Sequence, residues 1–476
     1  MRKKAVSSLK FSFFQQFITQ IINYISVIIL AALVEPAVQG FMTIATIPVG
    51  FIGALGSFGI REKIIKEKEI NNYYKESLFG LIIIISLFMF LMSIILIIVI
   101  AFFYENNFNY NKLVTYGILI SCVSPIAIFN NYFESFQTRE LNFKTIGFLN
   151  IISMTVGIII SIFLAIFGFQ YLALSLKIIL PHFFNLVLYL LFFKPSFKYI
   201  WNPTMYKEFK TFSTFFTLNN IANFFVRNID YIIIGKFFSA EVLGQYSIAY
   251  KILLFPMKNI TSRIQHVAMP MLSKLDISSN DFKKKYSMII SLIAFIVFPI
   301  MAFVAITADI WVPLTFNKNY NLLIMMIKIL SVVGTFQSLV SPVGVLYLLK
   351  ESTKLMFRNS IINVIIITLV FLISSYYMDI YLVLLSYACS WLLLILPIST
   401  YWIYKEYQIK MVSFFKSMAP AFLSILISLV IIYCFEYYIP TSEFKIVQLT
   451  ILFLILVLFY LLSYFIINNV WIYRFS

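Results

Sequence analysis

The chain has 476 residues, of which 62% are hydrophobic and only 12% charged, with a mean hydropathy of +0.95. Soluble domains run at about 45–50% apolar and about 25% charged, so this composition excludes a soluble globular protein and indicates a polytopic membrane protein. The net charge of +17 sits in short basic runs beside apolar segments, which argues for a membrane surface and against nucleic acid as a partner.

The N-terminus, MRKKAVSSLKFSFF, is basic and then apolar. The apolar run from Phe11 to Val34 is too long for a signal h-region and lacks a small-residue cleavage site, so an uncleaved first span is expected. Cys122, Cys389 and Cys434 lie in apolar runs at unrelated spacings and read as small hydrophobes. His182 and His266 are far apart and form no ligand cluster, so no metal or cofactor is expected. The absence of a phosphate-binding glycine loop excludes an ATP-driven pump in one chain.

A spanning helix needs about 20 mostly apolar residues. On that basis the sequence predicts an all-α protein of about fourteen spans. The first six fall near 11–34, 40–60, 78–103, 112–135, 145–168 and 170–193. The next six fall near 211–238, 241–270, 286–307, 320–349, 355–377 and 380–404, and two more near 412–437 and 446–472. With a cytoplasmic N-terminus, the inner segments hold 26 of the 36 Lys and Arg, among them Arg61, Lys63, Lys66, Lys68 and Lys283–Lys285. The outer loops hold only Lys112, Lys236, Lys318 and Lys445. That bias predicts a plasma-membrane protein with both termini cytoplasmic.

A shift of 204 residues aligns VIILAALVEPAVQGFMTIA, from Val27, with YIIIGKFFSAEVLGQYSIA, from Tyr231, placing Gly40 on Gly244 and Ala45 on Ala249. Spans one and two therefore correspond to seven and eight, as expected of a six-span unit duplicated once with its orientation kept. The expected organisation is an N-terminal six-helix bundle over 1–200, a C-terminal one over 201–405, and two further spans over 406–476. Two such pseudo-symmetric bundles are expected to enclose a V-shaped central cavity that opens alternately to either side.

Six basic residues remain inside spans: Lys177, Arg227, Lys251, Lys258, Arg263 and Lys328. A charge near the bilayer centre costs about 2.5–3.5 kcal/mol on insertion scales, so such residues face a partner or a wet cavity. At about 100° per residue Asn219, Asn223, Arg227 and Asp230 share a helical arc of roughly 80°. Ser247, Lys251, Lys258, Ser262 and Gln265 share roughly 60°, with Pro256 a candidate kink. The candidate cationic lining is thus Arg227, Lys251, Lys258, Lys177, Arg263 and His266, and the candidate neutral polar lining Gln16, Asn23, Asn219 and Asn223. Their structural readings are an Arg227–Asp230 pair, bonding of the lysines to carbonyls freed by Pro256, snorkelling of Lys177 and Lys328, and plain positive-inside bias for Arg263 and His266.

Several strings resemble the multidrug/oligosaccharidyl-lipid/polysaccharide exporter superfamily, and within it the bacterial polysaccharide (O-antigen, capsule or colanic-acid type) flippases. They are SLKFSFFQQFITQIINY near the start, TRELNFKTIGFLNIIS from Thr138, GFQYLALS from Gly168, IGKFFSAEVLGQYSIAYKILLFP from Ile234, NITSRIQHVAMPMLSKL from Asn259 and LIAFIVFP from Leu292. Where members often carry an arginine after the tyrosine–serine pair of the eighth span this chain has Ile248, leaving Lys251 or Arg263 as candidate substitutes. The resemblance implies movement of an undecaprenyl-diphosphate-linked oligosaccharide from the inner to the outer leaflet, without covalent chemistry. It also implies coupling to a proton or sodium gradient and partnership with glycan polymerase and assembly enzymes. Asp230, the acid deepest in a span, is the candidate for ion coupling. A cation-coupled multidrug exporter, a flippase for the peptidoglycan lipid precursor and a non-transporting assembly scaffold are the alternatives.

Overall fold

In a computed structural model the residues described are 2–56, 64, 70–140, 142–193, 198, 200, 221, 224–316, 320–350, 352–436 and 445–475. Nearly all lie in helices, and the protein is an all-α polytopic membrane protein. Among the described residues eleven helices are long and apolar enough to cross a bilayer, each overlapping one expected span. Of the other expected spans, the first falls within a helix over Arg2–Leu33, much of the seventh lies outside the described residues, and the eighth falls where a helix changes winding.

The chain forms two compact units, Met1–Gly244 and Gln245–Ser476. The first holds α1 (Arg2–Leu33), α2 (Pro36–Gly56), α3 (Asn72–Phe103), α4 (Tyr110–Ser121), α5 (Val123–Arg139), α6 (Phe143–Ile166), α7 (Gln170–Phe193) and α8 (224–237), and the start of α9 (Ala240–Pro256). Helix starts carry the side-chain caps that free backbone N–H groups require: Asn71 accepts from Tyr74 N at 2.8 Å and Asn109 from Lys112 N at 3.0 Å. The α6–α7 hairpin turns at Gly168, whose φ of +84° is costly for any residue with a Cβ.

Three contacts at one end of the helices join the first repeat to the start of the second. The Tyr104 hydroxyl donates to the Ile232 carbonyl at 2.7 Å. The Asn107 amide donates to the carbonyls of Gly235, Lys236 and Phe238 at 3.2, 2.7 and 3.3 Å, satisfying acceptors that the end of α8 leaves open. Lys236 Nζ donates to the Phe103 carbonyl at 2.7 Å and lies 4.1 Å from the centroid of its ring. These contacts help explain why 224–244, which belong to the second repeat by sequence, sit in the first unit.

The starts of α2 and α9 cross at van der Waals distance of their backbones. A Cβ on Gly40 would lie 1.8 Å from the Ala240 carbonyl oxygen, and a Cβ on Gly244 would lie 1.8 Å from that of Pro36. Pro36 and Ala240, like Gly40 and Gly244, are separated by the repeat shift, so the contact is reciprocal in the manner of a two-fold interface.

The second unit continues with a π-helix (Met257–Thr261), α10 (Ser262–Leu272), α11 (Asn280–Ile306), α12 (Ala308–Thr315), α13 (Asn321–Val340), α14 (Val343–Leu349), α15 (Thr353–Ser375) and α16 (Ile380–Ser390). A second π-helix (Trp391–Ile395), α17 (Leu396–Glu406), α18 (Met411–Glu436) and α19 (Lys445–Phe475) follow. Its core centres on α11: Phe282, Tyr286, Ile293 and Val297 are buried with Tyr404 of α17, Tyr407 just beyond its end, Phe414 and Ala421 of α18, and Leu456 of α19. Phe282 stacks on Tyr407 at 5.3 Å, the Tyr404 hydroxyl meets that of Tyr286 at 3.3 Å, and Tyr460 donates to the Phe295 carbonyl at 2.9 Å. The last two helices are thus integral to this unit's core.

Candidate functional site

The candidate residues divide between the units. In the first, Gln16 and Asn23 are exposed on α1, seven residues or about two turns apart. Asn219 and Asn223 lie outside the described residues. Arg227 is exposed on α8, whereas Asp230, one turn further on, is 3% exposed with its carboxylate accepting from Tyr231 N at 2.9 Å. The two form no ion pair with each other among the described residues; Asp230 has other contacts, and Arg227 is exposed. Lys177 is half-buried on α7, four residues before Pro181, whose missing N–H leaves the Lys177 carbonyl without its helical donor.

In the second unit Lys251, Lys258, Arg263 and His266 follow one helical path through α9, the π-helix and α10. Pro256 cannot donate to the Ile252 carbonyl, and the widened turn starts immediately after it. The extra residue of a π-turn rotates everything beyond it by about 100°, so the narrow arc expected for Ser247 to Gln265 widens to roughly 140°. Ser247 is fully buried, Lys251 half-buried and Lys258 exposed, and the two lysines are close enough for their charges to repel. Gln265, rotated inward, donates to the Ser341 hydroxyl at 2.5 Å. The Ser262 hydroxyl bonds back to the Lys258 carbonyl, an acceptor that the π-turn loosens. Arg263 is half-buried with contacts of its own, and His266 is exposed one turn beyond. Lys328 pairs with Asp309 at 2.5 Å, with both side chains about half exposed.

The second unit therefore presents a ladder of cations on one helix whose winding changes beneath Lys258. Such a ladder attracts phosphate, and local helix irregularity beside a polar path is the form that non-helical backbone takes inside membrane proteins. Sequence reasoning missed the π-helices and the Asn107 contact. Pro256 was a signal for the first, since a mid-helix proline must unseat one carbonyl; an asparagine in a turn gives none for the second.

Comparison with known proteins identifies the family. A family model described as "Polysaccharide biosynthesis protein" matches residues 29–325. The chain belongs to this polysaccharide biosynthesis protein family. It is 22% identical over 373 residues to the lipopolysaccharide biosynthesis protein WzxC of Escherichia coli (strain K12), covering 76% of this chain and 73% of the relative. It is 27% identical over 151 residues to the teichuronic acid biosynthesis protein TuaB of Bacillus subtilis (strain 168), covering 32% of this chain and 31% of that one. Among solved structures, the lipid II flippase MurJ in an inward closed conformation matches with a TM-score of 0.76 at 14% identity, covering 98% of this chain and 99% of the other. An inward-facing multidrug resistance MATE family transporter of the MOP superfamily matches with a TM-score of 0.52 at 12% identity, covering 96% and 94%. At these identities the two structures establish the fold: this member of the family has the architecture of MurJ and MATE transporters.

Proposed function

We propose that this protein flips an undecaprenyl-diphosphate-linked oligosaccharide from the cytoplasmic to the outer leaflet of a bacterial plasma membrane, for surface polysaccharide synthesis. The observation that carries this reading is the match to WzxC, a lipopolysaccharide biosynthesis protein, over three quarters of both chains. The residues support it independently. A diphosphate carries about two negative charges past a low-dielectric region, and cations at membrane depth lower that cost. Arg227 offers a two-pronged donor and Lys251 and Lys258 mobile point charges, with Lys177, Arg263 and His266 completing the cationic set. Gln16 and Asn23, with Asn219 and Asn223, supply neutral hydrogen bonds to glycan hydroxyls. The protein performs no covalent step; it alternates access between two six-span halves, and both termini are cytoplasmic.

The test is surface glycan export in a strain whose own flippase is replaced by this chain. Arg227→Ala, Lys251→Ala and Lys258→Ala together abolish export at normal protein levels; full export by that variant would sink the reading. For gradient coupling Asp230 is the residue proposed, and Asp230→Asn then removes the dependence of transport on a proton or sodium gradient. The fold shared with MurJ favours one alternative, movement of the peptidoglycan lipid precursor, which complementation of a strain lacking its own peptidoglycan flippase would reveal.

A further inference from the structure

Away from the cationic ladder, the first unit carries a cavity of about 540 Å³ where the start of α3 and the ends of α5 and α7 converge. Its size is that of a small-ligand site, about 300–1,000 Å³. The basic-residue bias assigns this end to the cytoplasmic leaflet. Four charged side chains line it: Lys75 and Lys198, Glu76 and Glu140. No ion pair joins any two of these four among the described residues, so each can meet a charge of a ligand. Other contacts hold some of them in place. Lys75 Nζ lies 5.8 Å from the centre of the Phe136 ring, its carbonyl accepts from the Tyr132 hydroxyl at 3.2 Å, and Glu140 accepts from the Asn142 amide at 3.1 Å. The aromatic wall that includes Tyr132 and Phe136 offers π-faces to a cation. The 32-residue helix α3 directs the positive end of its dipole at the same cavity.

Two cations and a helix N-terminus that share one cavity with two carboxylates and aromatic faces match one ligand that carries both charges. We infer that this cavity holds a phosphodiester bearing a primary ammonium group, the headgroup of an ethanolamine phospholipid of the inner leaflet. Lys75, Lys198 and the start of α3 take the phosphate, and Glu76 and Glu140 accept from the ammonium. The immediate surroundings favour a lipid over a soluble aminophosphate. Leu191 and Phe192, which precede the lining residue Phe193 on the last turn of α7, are 64% and 61% exposed and offer apolar surface to acyl chains. An ordered headgroup there ties together three helix ends whose own side chains leave the charges unpaired.

The test is native mass spectrometry of the intact protein released from nanodiscs of equal parts phosphatidylethanolamine, phosphatidylglycerol and phosphatidylcholine. Retained phosphatidylethanolamine is expected to exceed either other lipid by about tenfold, the scale of one charge-assisted hydrogen bond. Glu76→Gln with Glu140→Gln removes that preference and leaves phosphatidylglycerol retention intact, while Lys75→Gln with Lys198→Gln lowers all three. An unchanged melting temperature in pure phosphatidylcholine nanodiscs certifies that the variants fold, and the wild-type preference is informative without them. Equal retention of the three lipids, or a preference surviving both double variants, would overturn the site. Displacement of the bound lipid by equimolar glycerophosphoethanolamine would overturn the lipid assignment in favour of a soluble ligand. The readout is binding, so it stands or falls separately from transport.

Discussion

The reciprocal crossing of α2 and α9 makes a quantitative demand. Adding a methyl group at Gly40 puts a carbon 1.8 Å from the Ala240 carbonyl oxygen, where ordinary contact begins at 3.4 Å, so the helix starts must part by about 1.6 Å. The obstacle is backbone, which cannot swing aside as a side chain would, so Gly40→Ala is expected near the upper end of the overpacking range, about 2–3 kcal/mol. Gly244→Ala meets the Pro36 carbonyl at the same 1.8 Å and carries the same cost. One separation relieves both clashes, so the double variant costs little more than either single one, a coupling of about 2 kcal/mol in a double-mutant cycle. Gly53 and Gly344, with nothing within 4 Å of an added Cβ, serve as controls. Alanine there is neutral or stabilising by up to about 1 kcal/mol through helix propensity. Unfolding of the purified protein in detergent, followed by tryptophan fluorescence against denaturant, reads all five variants. A wild-type midpoint for Gly40→Ala, or strictly additive costs in the double variant, would refute the reciprocal contact.

Other consequences follow from contacts beyond that crossing. Asn107→Ala removes the donor shared by three carbonyls and costs about 1–2 kcal/mol, while Asn107→Asp costs more because a carboxylate then faces the same oxygens; limited proteolysis of the 236–240 turn ranks the three proteins. Tyr404→Phe loses the hydroxyl contact to Tyr286 and destabilises the second unit by about 1 kcal/mol, read from the melting temperature. In the turn after α10, outside the membrane, the backbone N–H of Ser278 and then its hydroxyl hold the Asp276 carboxyl below its ordinary value. A depressed folded-state value means this contribution is present above the unfolded carboxylate range and lost as pH falls through the folded one. Ser278→Ala therefore moves the Asp276 titration partway back up, measured on a carbon-13-labelled carboxyl; a fixed titration would show that the hydroxyl contributes nothing.

Hydropathy carried much of the fold because bilayer thickness sets helix length: the windows near 286–307 and 380–404 meet helices over 280–306 and 380–406. What it could not carry were breaks inside apolar runs. The helix ends at Cys122 and Ser341 and the π-turns after Pro256 and Ser390 re-route backbone bonds, which a hydropathy window does not register; in the second of these turns, Trp391–Ile395, the side chains are apolar throughout. The charged candidates were legible for the opposite reason: Arg227, Lys251 and Lys258 are costly in a membrane and stand out in any apolar run. Their shared face was read less well, because the face of Gln265 depends on a winding change that no periodicity count contains. The cavity at the start of α3 was invisible to periodicity, its four charged residues being scattered from Lys75 to Lys198.

The central claim is that cations at membrane depth carry a diphosphate-linked glycan across. Its most direct test is reconstitution of the purified protein into vesicles bearing a fluorescent undecaprenyl-diphosphate oligosaccharide, with a membrane-impermeant quencher counting molecules in the outer leaflet. The wild-type protein is expected to transfer the labelled lipid between leaflets, and the Arg227→Ala, Lys251→Ala, Lys258→Ala variant to do so at least about tenfold more slowly. Equal rates for the two proteins, or no transfer by wild type above protein-free vesicles, would contradict the account.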